Sequence, residues 1–429
     1  MLLATTTQPR VYGFVRPGFE AVRKAFAENF SHRNELGAAC CVYHHGDKVV
    51  DLWGGLRNGR TGEPWEENTM VVVYSTTKGL AAMTLAIAHS RGWLDYNECV
   101  STYWPEFAQN GKENITVRQL LAHQAGLFAF DEKVDRDTVA DLDKLAAILA
   151  RQKPKWEAGS RQAYHAISLG FYESELLRRI DPQHRSLGQF FQDEIASTLG
   201  EEFYIRLPEE IPNSRFAVVE APGFFKRLIG FPIWLALAAM YPRSNIYRAL
   251  VANPGSAIVH DESRIYARNL EVASGGGVGT ARAIAHAYGV FATGGRELGL
   301  YPETIQALMA PPIPPRHSFY DECMKGEAKF SLGFMKPCEA WPFNHERAFG
   351  HPGAGGSLGF ADPEAGIGYA YITNRMGVSL TGDDRDLALR DALYSAIRKH
   401  NVKAEVWNGK GTESGRGCET AVSRIRTKV

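Results

Sequence analysis

Hydrophobic and polar positions along this chain follow two periods, and the switch between them marks its organisation. From Pro17 to Phe30, the apolar residues Phe19, Val22, Phe26 and Phe30 recur three or four apart, which predicts an amphipathic helix. Ala38 to Tyr43 and Lys48 to Trp53 are strand-like runs around His45-Gly46-Asp47, and predict a hairpin. A short apolar run at Val71 to Val73 leads into a helix-like stretch, Gly79 to Arg91. Helical spacing continues through Thr116 to His123, Val139 to Arg151, Ala163 to Ile180 and Leu187 to Leu199. Strand patterning returns at Gly356 to Ala361 and Gly368 to Thr373, separated by the turn Asp362-Pro363-Glu364-Ala365-Gly366. Asp384 to His400 reads as a final amphipathic helix, and 401–429 as a polar tail.

Helix and hairpin, long helical stretch, hairpin and helix: this order predicts an α+β fold. Both ends of the chain share one antiparallel sheet covered by helices, and a helical lobe is inserted between them. The expected sheet domain is discontinuous, 11–74 with 270–400, and the lobe is 75–269. With 429 residues, 45% of them hydrophobic and 22% charged, the chain can bury a sizeable core. Lys+Arg and Asp+Glu both total 48, so nothing points to nucleic acid as a partner. The six cysteines (Cys40, Cys41, Cys99, Cys323, Cys338, Cys418) form no C-x-x-C pair and no metal spacing. Cys40 and Cys41, adjacent in a strand, should face opposite ways. They read as reduced thiols of a cytoplasmic protein, and Met1 to Gln8 lacks the pattern of a targeting segment. Leu228 to Met240, the longest apolar stretch, contains Pro232 and is too short to span a bilayer.

The chemistry centres on Ser75-Thr76-Thr77-Lys78. If Ser75 opens a helix, it shares a face with Lys78, at roughly 5–6 Å between Cβ atoms. The free N–H groups of the first turn then point at any anion formed there. A serine hydroxyl is a poor nucleophile until a base takes its proton, and a lysine is a base only when neutral, which burial favours. Spacing alone produces about one Ser-x-x-Lys by chance in such a chain. A surface lysine in a first helical turn is therefore the plain alternative. Three further blocks follow in order: Thr116-Val117-Arg118-Gln119-Leu120-Leu121-Ala122-His123-Gln124-Ala125-Gly126-Leu127, then Trp156-Glu157-Ala158-Gly159-Ser160 ahead of Tyr164, then Gly350-His351-Pro352-Gly353-Ala354-Gly355-Gly356.

Together these blocks resemble the serine β-lactamase and penicillin-binding superfamily, closest to its class C-like branch with the family VIII carboxylesterases, over about Val11 to His400. The resemblance implies a class C β-lactamase-like fold. It also implies a nucleophile at Ser75, a base at Lys78, a second proton carrier at Tyr164, and an oxyanion hole from the N–H groups of Ser75 and Ala354. Tyr172 is the fallback if the register differs. His351-Pro352-Gly353 stands where the family has Lys-Thr-Gly, which makes His351, Gly353 and Gly355 candidate substrate contacts. The chain departs from the pattern twice: Ala166 removes the amide of the family's Tyr-x-Asn, and Pro352 removes a hydroxyl. His123 is expected to be a buried structural histidine. Ser274-Gly275-Gly276-Gly277 lacks the lysine of a phosphate loop and reads as a tight turn near the cleft. No G-x-S-x-G elbow is present. The apolar insert from Gly223 to Tyr241 holds Phe224, Phe225, Phe231, Trp234 and Leu237. It reads as a pocket wall or cap, with Trp234 a substrate contact, or equally as a core helix; a membrane-surface helix ranks third.

The function expected is a serine carboxylesterase that hydrolyses small or short-acyl esters through an acyl-enzyme. It needs no metal or organic cofactor, takes a small-molecule ester, and can form a homo-oligomer. The alternatives are a β-lactamase or D-Ala-D-Ala carboxypeptidase, and a non-catalytic scaffold member of the fold.

Overall fold

The computed structural model describes residues 10–221, 233–261, 263–316, 318–378 and 382–413. A nine-stranded antiparallel sheet forms its centre. Its strands are β1 (Val11–Val15), β2 (Gly37–His44), β3 (Asp47–Asn58), β4 (Glu63–Pro64), β5 (Lys329–Ser331), β6 (Phe334–Lys336), β7 (Phe349–Pro352), β8 (Leu358–Asp362) and β9 (Ile367–Thr373). They lie in the order β1-β3-β2-β9-β8-β7-β6-β5, with β4 paired to β3. The join between the two ends of the chain is β2 against β9, Cys41 opposite Ala370. The β2–β3 hairpin turns at His45 and Gly46, both at positive φ, as a two-residue hairpin turn matched to strand twist requires.

Both faces of the sheet are covered, which is why its middle strands are apolar throughout rather than alternating. Helix α1 (Glu20–His32) and the C-terminal helix α5 (Asp384–Glu413) cover one face, where Phe19, Val22 and Phe26 meet Cys40, Val42, Leu389 and Leu393. Cys41 faces the other way, into the larger core with the central helices. The adjacent thiols therefore do point to opposite sides, and both are free. On that second face lie α2 (Thr76–Ser90), α3 (Ser168–Ile180) and α4 (Ala281–Ala292). Helix α4 comes close because it has no side chain at Gly289: a Cβ on the facing Gly368 would sit 2.1 Å from the Gly289 nitrogen.

Some elements differ from expectation. The helix expected from Ala163 begins at Ser168, so Tyr164 lies in an irregular segment ahead of it. The last helix continues past His400 to Glu413. Strand β7 is internal to the sheet. Its proline is tolerated because Pro352 is the last residue, beyond the single Met335–Gly350 pair to β6. Of the apolar insert, 222–232 lies outside the described residues; the remainder forms a helix, Ile233–Met240. Among the described residues, no helix is long and apolar enough to cross a membrane.

Candidate active site

The chain reaches Ser75 through strain. Val71–Val72 pairs with Val278–Gly279 in a small sheet, and Tyr74 then adopts φ +46°, a left-handed conformation rare for a bulky residue. That residue swings the backbone from strand into α2, and Ser75 becomes the residue that opens the helix. The Ser75 side chain caps no backbone N–H, so its hydroxyl is free for other partners.

Lys78 is fully buried, and its ammonium nitrogen has three neighbours. It lies 2.7 Å from the Ala166 carbonyl, 2.7 Å from the Ser274 carbonyl and 3.2 Å from Ser75 Oγ. A neutral amine has two N–H groups and one lone pair. The two shorter bonds to carbonyls use both N–H groups and leave the lone pair for the Ser75 hydroxyl. Burial lowers the Lys78 pKa from its ordinary value to about 7, against the opposing pull of Glu173. The Ser274 carbonyl is available because Gly170 of α3 lets that loop approach: a Cβ there would sit 2.3 Å from the Ser274 nitrogen.

Tyr164 joins from the segment before α3. Its hydroxyl interacts with the Ser75 side chain, and its ring lies 4.8 Å from the Lys78 nitrogen. Burial, with the charge of Asp321 adding to it, pushes the phenol well above its ordinary range. Tyr164 is therefore a neutral phenol that can relay a proton, not a tyrosinate base. Asp321 also holds the segment: its carboxylate accepts from the N–H groups of Cys323 and Met324 and interacts with the Tyr164 backbone. Tyr172 is buried in α3 against Trp104 and Phe107, away from this cluster.

His123, as expected, is buried, with Nδ1 accepting from the His165 N–H and its ring 5.0 Å from that of Tyr164.

The fourth wall is the turn after β7. Gly353 lies against the chain just before Ser75: a Cβ there would sit 2.1 Å from the Val73 carbonyl oxygen and 2.3 Å from Ser357 Oγ. Ser357 Oγ donates to the Val73 carbonyl at 2.9 Å and ties the turn down. Gly355 needs its absent side chain for φ +88°, and its carbonyl accepts from Arg385 at 3.0 Å. Among the described residues, the N–H groups of Ser75 and Ala354 have no backbone acceptor, so both are free to donate to a developing oxyanion.

His351, a candidate substrate contact from the sequence, lies in the interior. The ring is 1% exposed, and Nδ1 bonds the Pro352 carbonyl at 2.7 Å. Burial, then the nearby Lys78 charge, lowers its pKa to about 3. A buried neutral imidazole offers no charge to a carboxylate; its ring backs Tyr164 at 6.0 Å instead. Trp234, 42% exposed on the Ile233–Met240 helix, makes none of the contacts that assemble Ser75, Lys78 and Tyr164. Glu173, Asp321 and Ser357 carry no sequence signal, because each acts on residues far away in the chain.

A serine beside a buried lysine and a tyrosine, with its own N–H and that of Ala354 left without a backbone acceptor, is the apparatus of a serine hydrolase. The chain belongs to the β-lactamase family, whose model matches residues 22–393. It is 31% identical over 398 residues to the esterase/beta-lactamase LipL of Mycobacterium tuberculosis, covering 92% of this chain and 90% of that one. A solved family VIII carboxylesterase is 35% identical, with a TM-score of 0.78, over 90% of this chain and all of the other. A penicillin-binding protein homolog from Caulobacter crescentus is 33% identical at the same TM-score and coverage.

Proposed function

We propose that the protein is a carboxylesterase that hydrolyses small or short-acyl esters through an acyl-enzyme on Ser75. The observation that carries this reading is the buried Lys78 nitrogen, 2.7 Å from two carbonyls and 3.2 Å from Ser75 Oγ, so that its neutral form can give both N–H groups to the carbonyls and keep its lone pair for Ser75. Lys78 takes the hydroxyl proton as Ser75 attacks the ester carbonyl, and the Ser75 and Ala354 N–H groups receive the oxyanion. Tyr164 passes the proton to the leaving alcohol. Water then attacks the acyl-enzyme, giving up its proton to the same relay, and the acid departs. Free thiols, buried at Cys40, Cys41, Cys323 and Cys338 and partly exposed at Cys99, fit a cytoplasmic setting.

Specificity follows from what the site lacks. Ala166 has no side-chain amide to offer a substrate, and His351 is neutral and buried. A β-lactam would lose partners for its amide and its carboxylate, at about 1–3 kcal/mol for each such bond. Two losses amount to roughly 10²–10⁴-fold. The acyl pocket wall is proposed to include the helix carrying Trp234. Ala249, on the helix that follows, joins Phe128, Ala163 and Cys323 in a cluster against which Tyr164 packs.

The name of the mycobacterial relative favours a second reading, slower lactam hydrolysis at the same serine. Comparing kcat/KM on a short-chain p-nitrophenyl ester and a chromogenic cephalosporin, for wild type and Ser75→Ala, tests both. Expected are a preference for the ester of about 10²-fold or more and loss of both activities in the variant. Rates within tenfold of each other, or a preference for the lactam, would overturn the ester reading.

A further inference from the structure

A cavity of about 240 Å³ opens beside the edge strand β5, and Phe330 is the wall it shares with the catalytic cluster. Pockets for drug-sized ligands begin near ~300 Å³, so this one suits a smaller molecule. Among the described residues lining it, Arg118 is the only charged one. Its Nε donates to Asn97 Oδ1 at 3.1 Å. Neither Nη nitrogen has an acceptor among the described residues, and no carboxylate there pairs with the guanidinium. Ser331, the last residue of β5, is 6% exposed, and its hydroxyl has no hydrogen-bond partner among the described residues. A buried hydroxyl left unpaired costs free energy, so the cavity holds a donor that the chain itself does not answer. Thr116 adds another: its oxygen accepts from the Gln119 N–H at 3.2 Å, which leaves its proton free to donate.

The opposite side is apolar. Ile313, 56% exposed, stands on a loop that Gln124 pins by donating Nε2 to the Ile313 carbonyl at 2.8 Å. An uncompensated guanidinium fork and two hydroxyls facing an aliphatic side match a small monoanion with an apolar tail. The planar fork favours a carboxylate. Phe330 connects this space to the chemistry: its ring stacks on Tyr164 at 5.6 Å and 15°, and meets His123 edge-on at 4.3 Å. Protein interiors are close-packed, so filling the cavity restricts the ring against which Tyr164 moves as it relays the proton.

We propose that this cavity is a second ligand site, for a small aliphatic carboxylate held by Arg118, Ser331 and Thr116, and that its occupant slows turnover through the Phe330–Tyr164 stack. The short-chain acid released by ester hydrolysis belongs to this class, so the site makes the enzyme sensitive to its own product. The coupling rests on the role of Tyr164 proposed above; the binding does not.

The test uses butyrate as the probe. Calorimetric titration of the full-length enzyme, with Ser75 blocked by a serine-reactive phosphonate, should still show saturable binding of butyrate and none of n-butylamine. Arg118→Met should weaken that binding by about tenfold to a hundredfold, the loss expected for hydrogen bonds to a charged group, and Ser331→Ala by about threefold to tenfold. In steady-state kinetics on a short-chain p-nitrophenyl ester, butyrate should lower the wild-type kcat while KM holds. Both variants, each read against its own rate without butyrate, should need correspondingly more of it. Absence of binding to the blocked enzyme, equal binding of n-butylamine, or an affinity unmoved in the variants would overturn the site. Binding accompanied by purely competitive inhibition, or by an unchanged kcat, would overturn the coupling. Should Arg118→Met fail to fold, Ser331→Ala decides: a weakened affinity supports the site and an unmoved one overturns it. Failure of the esterase reading looks different, since Ser75→Ala would retain activity while butyrate binding to the unblocked enzyme still depended on Arg118.

Discussion

At the residue scale, the site depends on one lysine held out of its usual charge state. Burial brings Lys78 to about 7, with Glu173 opposing. Below that pH the amine is protonated and has no lone pair for Ser75, so kcat/KM on an ester should fall about tenfold per pH unit. Above it the rate should stay flat to beyond pH 10, because burial keeps Tyr164 a phenol well past its ordinary range. An acid limb near 10 in the measured profile would mean that Lys78 is charged at neutral pH and that the base lies elsewhere. Ser75 and Lys78 are legible in the sequence because helix geometry alone brings residues three apart together. Glu173 and Asp321 are not, since nothing local distinguishes them from the many surface carboxylates of this chain.

At the scale of elements, the site is a meeting of segment ends: the start of α2, the approach to α3, the Ser274 loop and the turn after β7. Glycines set how closely they meet. Gly353→Ala would drive a methyl into the Val73 carbonyl oxygen, 2.1 Å away, and into Ser357 Oγ at 2.3 Å. The turn carrying the Ala354 N–H must then move off Ser75. Loss of one oxyanion donor costs about 10²–10³ in kcat, and that drop is expected with KM changed far less. Steady-state kinetics on the same ester check it, with circular dichroism to confirm the fold. The β2–β3 and β8–β9 hairpins and α1 are readable from the chain, because turn residues and one apolar face suffice to define them. The β5–β6 hairpin is not readable, being three residues per strand around a buried Leu332-Gly333 turn. The start of α3 is misjudged because Ala163 to Ile167 keeps an apolar pattern while its backbone bonds go to His123 and to Lys78.

At the scale of the whole molecule, Arg385 links the two ends of the chain to the site. Only 5% of its side chain is exposed, and it bonds Glu35 at 3.0 Å, Asp383 at 2.7 Å and the Gly355 carbonyl at 3.0 Å. Removing one member of a buried ion pair strands the other, at about 3–5 kcal/mol. Arg385→Met should therefore lower the denaturant midpoint by that equivalent and reduce kcat by loosening the Gly353–Gly356 turn. A variant as stable and as active as wild type would show that the turn is held by Ser357 alone. By itself, the sequence determines that two strand-rich ends flank a helical middle, and that a serine and a lysine share the face of a helix start. Periodicity and short spacing are local properties, so the order of residues encodes them directly. Only the tertiary structure decides that the lysine is buried between two carbonyls, that the tyrosine sits in an irregular segment and not a helix, and that His351 is too deep to carry charge. Burial and the groups across the cleft set those charge states, and they exist only once β2 has paired with β9 and the ends of the chain have closed around the helices.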